Sequence, residues 1–172
     1  MHARIRRIRS WRRWRRLHPL QRFRRDESGV QLVEVAIVIP IFLILFGATA
    51  EFGRYFYEYT TLTKAARGAT RYLTVNPVGT AADNAARNMV VFGNSAGTGT
   101  AILPGLDTSN VEIVREGGVP LLPQRVTVRI VNYKHDPIFD VGAMTKTVGL
   151  SMNIDVKPSV TMRYLLTQPP PI

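Results

Sequence analysis

Glu34 is the one charged residue in the run Val30 to Ala50 (VQLVEVAIVIPIFLILFGATA). A carboxylate in so apolar a setting is costly in lipid, and such a residue marks a functional position by default. General acid–base catalysis finds less to work with. The histidines are His2, His18 and His135; the first two lie in a basic N-terminal segment, and His135 beside Asp136 reads as part of a turn rather than as a base–carboxylate pair. The chain has no cysteine, which excludes disulfides, thiolate metal sites and cysteine nucleophiles. Gly93 to Gly99 (GNSAGTG) lacks both the lysine and the strand-to-helix setting of a phosphate loop, so it reads as a loop. No metal constellation stands out. The expectation is a protein that is not an enzyme, with no cofactor, no metal and no small-molecule substrate.

The other chemistry in the sequence is cationic. Met1 to Ser28 hold 11 arginines against Asp26 and Glu27, which accounts for +9 of the formal net charge of +11 and leaves the body nearly neutral. Guanidinium groups interleaved with Trp11, Trp14 and Phe23 suit phosphates and bases, so an arm for nucleic acid or anionic lipid is one reading. Arginines before a membrane span also act as an orientation signal that keeps their flank in the cytoplasm. The position directly before the apolar run favours orientation, and nucleic acid is not the expected partner.

These residues need elements to position them. At 1.5 Å per residue, Val30 to Ala50 reaches about 31 Å, near the ~30 Å of bilayer hydrocarbon, whereas Val35 to Ala50 reaches only about 24 Å. The span therefore includes Glu34. Pro40 removes a backbone donor within it, which membrane helices tolerate. Beyond Glu51, the residues Phe52, Tyr55, Phe56, Tyr59, Leu62, Ala66, Ala69 and Leu73 recur at helical spacing, with Arg54, Glu58, Lys64, Arg67 and Arg71 on the opposite face. With no breaker before Asn76-Pro77, 30–74 reads as one helix, lipid-buried first and amphipathic afterwards. Thr80 and Asp83 suggest a capping box for a short helix over 81–92, stopped by Gly93. Alternation predicts strands at 111–115, 125–131 and 153–157, resuming at Val160, Met162 and Tyr164 after Pro158. Gly117-Gly118 with Pro120 and Pro123 supply the first turn.

The spacing of Gly29, four residues, then Glu34 resembles the signal of type IV prepilins, which a prepilin peptidase cuts after the glycine. The resemblance narrows to the TadE-like family of minor pilins or pseudopilins of tight-adherence (Flp-type) pilus systems. It is carried by Leu32-Val33-Glu34 before an apolar run with Pro40, by Glu51-Phe52-Gly53-Arg54, and by Ala65-Ala66-Arg67-Gly68-Ala69 with Arg71-Tyr72, while Val156, Thr161 and Met162-Arg163 make a looser fit to the closing strand. The chain departs from the family pattern in its long, arginine-dense leader.

The resemblance implies an α+β, type IV pilin-like fold, with a long N-terminal helix laying Tyr59, Leu62, Ala66 and Leu73 on a small antiparallel sheet. The expected divisions are a basic cytoplasmic leader (1–29), a transmembrane helix (30–50), an amphipathic stalk (51–75), an extracytoplasmic globular part (76–166) and a Pro-rich tail (167–172). The implied processing residues are Gly29, Val30 and Glu34, and the implied helix-packing residues are Glu34, Ile37, Pro40 and Ile41. Implied partners are other pilins or pseudopilins, the prepilin peptidase, the inner-membrane assembly platform and membrane lipid. The implied place is the bacterial inner membrane, crossed once, with the C-terminal part periplasmic or extracellular. The alternative is a single-pass or secreted β-rich adhesion or binding protein with a cationic arm, freed in the secreted case after the Ala48-Thr49-Ala50 pattern.

Overall fold

The computed structural model describes residues 27–140, 142, 143, 146, 147, 149 and 151–167. The expected leader up to residue 26 and the tail from residue 168 lie outside the described residues. Helix α1 occupies Glu27–Val75 and continues through Pro40, as the uninterrupted helical pattern predicts. It stops where Asn76 donates its side-chain amide to the Tyr72 carbonyl at 2.8 Å and Pro77 forbids another turn. The chain divides into two compact units, Met1–Leu45 and Phe46–Ile172. In the first, the large apolar side chains of α1 from Val30 to Leu45 are exposed. The last turn of the expected span, Phe46 to Ala50, belongs to the second unit.

In the second unit, Leu62, Ala66, Ala69 and Leu73 of α1 enter the core, spaced three and four apart on one helical stripe. Each fully buried leucine there contributes about 1.5–3 kcal/mol relative to an exposed one. The stripe's earlier members differ from the expected ones. Phe52, Phe56 and Tyr59 are exposed, whereas Glu51 and Glu58 are buried. Continued upstream with the same spacing, the inward stripe reads Glu51, Tyr55, Glu58, Leu62.

Helix α2 spans Thr80–Phe92 and buries Ala86, Val90 and Val91. Its expected capping box is not formed: the N-cap is Gly79, with no side-chain cap bond. Asp83 is instead drawn to Arg115, whose Nη1 donates to Asp83 Oδ2 at 3.2 Å, and a charged partner outcompetes a neutral cap. At the other end Gly93 takes the left-handed conformation, φ 74°, and its N–H caps Met89.

Three antiparallel strands form the sheet in the order β1 (Val111–Val119), β2 (Leu122–Ile130) and β3 (Ser159–Arg163). On β2, Val126, Val128 and Ile130 point into the core while Arg125 and Arg129 point out. Outward side chains pair across the register: Arg129 meets its partner Glu112 at 2.7 Å, and the Thr127 and Thr161 hydroxyls lie 2.8 Å apart. The first turn is tighter than expected. Gly117, Gly118 and Pro123 belong to the strands, and Pro120-Leu121 alone connect Val119 to Leu122. Pro123 is tolerated because it precedes the Arg125–Arg129 stretch of β2 that pairs with β3.

The run 153–157 is not a strand of this sheet. Its Asp155 makes an isolated bridge with Lys134, and backbone bonds join His135 N–H to the Ile154 carbonyl and Val156 N–H to the Tyr133 carbonyl, both at 2.9 Å. Asn132, at φ 55°, turns the chain out of β2 toward that short ladder. The third strand falls after Pro158, and its continuation ties back to α1: Leu165 N–H donates to the Thr74 carbonyl at 3.0 Å, and the Tyr164 hydroxyl to the Asn76 carbonyl at 2.8 Å.

Candidate functional site

Two stretches of α1 carry the functional residues. In the first unit, Gly29 is a half-buried residue of α1, directly before the apolar run. Val30, Glu34, Ile37, Pro40 and Ile41 are all exposed. Glu34, Ile37 and Ile41 are separated by three and four residues and so share a side of the helix, with Pro40 at its margin. The residues expected to pack against partner helices thus form a contiguous strip, mostly apolar with one carboxylate near its start.

The second stretch begins at the end of the apolar run and holds a buried polar cluster. His135, held by the 133–135 and 154–156 ladder, places its ring between two carboxylates of α1. Nδ1 lies 2.9 Å from Glu58 Oε2 and Nε2 lies 3.1 Å from Glu51 Oε2. Both His135 and Glu51 are 1% exposed. The other Glu51 oxygen accepts the N–H groups of Ile138 and Phe139, each at 2.9 Å, and Arg54 Nη1 adds a contact to Oε2 at 3.1 Å. Tyr55 sets its ring edge-on to the imidazole, with centroids 5.9 Å apart. Each ring nitrogen thus faces a carboxylate oxygen, and Arg54 adds a cation at the edge of the cluster, so its buried polar groups are partnered.

Burial alone would raise the Glu51 carboxyl. The Phe139 N–H, the His135 ring, the Ile138 N–H and the Arg54 charge outweigh it and hold Glu51 below the ordinary glutamate range. Tyr133, whose hydroxyl donates to the Pro104 carbonyl at 3.2 Å, is pushed up to about 12, first by burial and then by the Glu58 charge, with Arg54 opposing. Since a carboxylate occupies each ring nitrogen, His135 has none left for a substrate proton. The carboxylates approach opposite sides of the ring and share no point at which an ion could sit. Among the described residues no group of three or more His, Asp or Glu is arranged to hold a metal ion.

The sequence pattern placed Glu58 on the solvent face and His135 in a turn, and the structure brings them together with Glu51. Sequence reasoning missed this cluster. The available signal was the spacing: Glu51 and Glu58 fall seven apart, two turns on one face, in register with Leu62.

The described residues contain one helix long and apolar enough to cross a membrane, and it is α1. Residues 29–71 match the family described as TadE-like protein. The chain carries a TadE-like segment. That segment takes in the apolar run, Glu34, Glu51, Glu58 and the stalk to Arg71, all on α1, and the sheet lies outside it. The histidine that completes the cluster therefore comes from outside the TadE-like segment. Comparison with curated proteins and with solved structures finds no match.

Proposed function

We propose that this TadE-like chain is a minor pilin or pseudopilin that takes part in building a Flp-type, tight-adherence pilus. The observation that carries the reading is the family match laid over one helix whose first half is apolar and exposed and whose second half packs on the sheet. An exposed apolar helix in water is an aggregation liability, whereas in a bilayer it is an anchor. In this reading the arginine-rich leader stays in the cytoplasm, the globular part is exported, and a prepilin peptidase cuts between Gly29 and Val30. The anchor then packs laterally with partner pilins through Glu34, Ile37, Pro40 and Ile41. Its new terminal amine would give the Glu34 of a neighbour a cationic partner, hiding both charges and setting the axial register.

The role is assembly, not catalysis; an imidazole with both nitrogens occupied supports this. Two sites for processing compete. Ala50 lies mid-helix beside the buried Glu51, where a peptidase finds no extended segment, which favours the glycine. Amino-terminal sequencing and intact mass of the protein from its native membrane decide between them. A start at Val30, lost in a Gly29→Val variant, is expected. An uncut chain, or a start at Glu51, would overturn the reading.

A further inference from the structure

The segment after His135 exposes two large apolar side chains side by side: Ile138 is 71% and Phe139 52% exposed. Isolated apolar residues on a surface need no explanation. These differ because of where they are held. The N–H groups of both residues are bonded to Glu51 Oε1, one position past the expected span. The Phe139 ring also lies against Gly47, which is buried beneath it; a Cβ at Gly47 would meet Phe139 Cγ at 3.5 Å. Gly47 is three residues inside the end of the apolar run, about 4.5 Å along the helix axis. An apolar loop tip is thus fastened to the helix at the depth where a bilayer spanned by 30–50 passes from hydrocarbon to headgroups.

We infer that Ile138 and Phe139 form a membrane-inserted loop, a second contact with lipid beside the anchor helix, which fixes how the globular part stands on the bilayer. The inference rests on the membrane-anchor reading above. Three features fit a lipid partner. Phe46, next in the chain to the Gly47 that the Phe139 ring covers, is also exposed. Backbone donors near hydrocarbon must be satisfied within the protein, and the Glu51 carboxylate satisfies both at the tip. The apolar pair is bracketed by Asp136, exposed, and Asp140, which accepts bonds from the Gly142 N–H and the Ser151 hydroxyl at 2.9 Å each. These acids limit penetration to a shallow insertion, of the order of the 5–10 Å of interfacial segments.

Because the chain has no cysteine, single cysteines carry a unique environment-sensitive fluorophore. Ile138→Cys, Phe46→Cys in the span and Thr100→Cys in an exposed loop are made in the full-length chain and reconstituted into phosphatidylethanolamine–phosphatidylglycerol vesicles with or without acyl-chain spin-labelled lipid. The expected result is loss of most fluorescence to the lipid quencher at 46 and 138, with 100 quenched only by aqueous iodide. Quenching at 46 with 138 open to iodide overturns the loop proposal and leaves the anchor standing. A label at 138 shielded from both quenchers also overturns it, because a protein surface then covers the loop. Loss of lipid quenching at 46 sinks the anchor reading itself, and the loop proposal with it. Phe139→Ser with the label at 138 serves as the second variant: its label should shift from lipid-quenched to iodide-quenched, while circular dichroism shows the fold retained.

Discussion

His135 Nε2 lies 3.1 Å from Glu51 Oε2, although 84 positions separate the two residues in the chain. With Glu58 on the other ring nitrogen, the imidazole joins the start of the stalk to the segment after β2. His135→Ala leaves two buried glutamates without their shared hydrogen-bond partner, and a buried polar group left unsatisfied costs about 1–3 kcal/mol. Urea unfolding of the detergent-solubilised chain reads this out. A loss below about 1 kcal/mol, typical of an exposed pair, would show that the cluster contributes little. The double variant His135→Ala with Glu51→Gln should lose less than the sum of the two single changes, since they remove one shared interaction.

Acid should loosen the same joint. Glu51 is held below its ordinary value in the folded chain, so the unfolded chain takes up the proton first. The stability it contributes is complete above the unfolded value of about 4.3 and drains away as pH falls toward the lower folded value. Thermal unfolding followed from neutral pH down through this window should show a steeper loss in the native chain than in Glu51→Gln, whose melting temperature is lower at neutral pH but flatter below it. Parallel curves for the two proteins would rule out Glu51 as a source of the acid sensitivity.

The β1–β2 hairpin turns on Gly118. It has φ 70° and pairs with Pro123, and a Cβ there would stand 2.2 Å from the Leu122 carbonyl oxygen. Gly118→Ala must shift backbone as well as occupy a left-handed conformation, at a cost of roughly 1–3 kcal/mol. Gly105, also at positive φ but with nothing within 4 Å of its Cβ position, is the control for backbone conformation alone. Hydrogen exchange should show faster exchange at the Val119 and Leu122 end of the hairpin in Gly118→Ala than in Gly105→Ala. Equal protection in the two would show that the close approach is relieved without cost.

On the exposed strip of the anchor, Glu34→Gln is nearly isosteric and removes the charge. If Glu34 sets register by meeting the amino terminus of a neighbouring subunit, this variant should insert into the membrane and lose its leader normally. Cross-links between subunits from a photoreactive probe at Ile37 or Ile41 should diminish. Undiminished cross-links together with normal pilus output would restrict Glu34 to recognition by the peptidase.

Much of this protein is determined locally and was legible in the sequence. The uninterrupted apolar run, its continuation at three-and-four spacing and the Asn76-Pro77 stop specify one long helix, because helical period and chain breakers act over a few residues. The alternation of Arg125 to Ile130 likewise specifies a half-buried strand. The TadE-like segment was legible for the same reason, since its residues all lie on that helix. The phase of the stalk was not. Hydropathy alone selects Phe52, Tyr55, Phe56 and Tyr59 as the inward residues of its first turns, yet of these the structure keeps only Tyr55 and turns Glu51 and Glu58 inward beside it. Burying a carboxylate is favourable only when donors meet it, and the donors are His135, the Ile138 and Phe139 N–H groups and Arg54, most of them about 80 residues further along the chain. Likewise, whether 153–157 joins the sheet or bridges to Lys134 depends on the turn at Asn132, which local alternation does not encode. Tertiary structure alone brings these partners into reach, and so it alone decides which side of a helix that suits two environments faces the core.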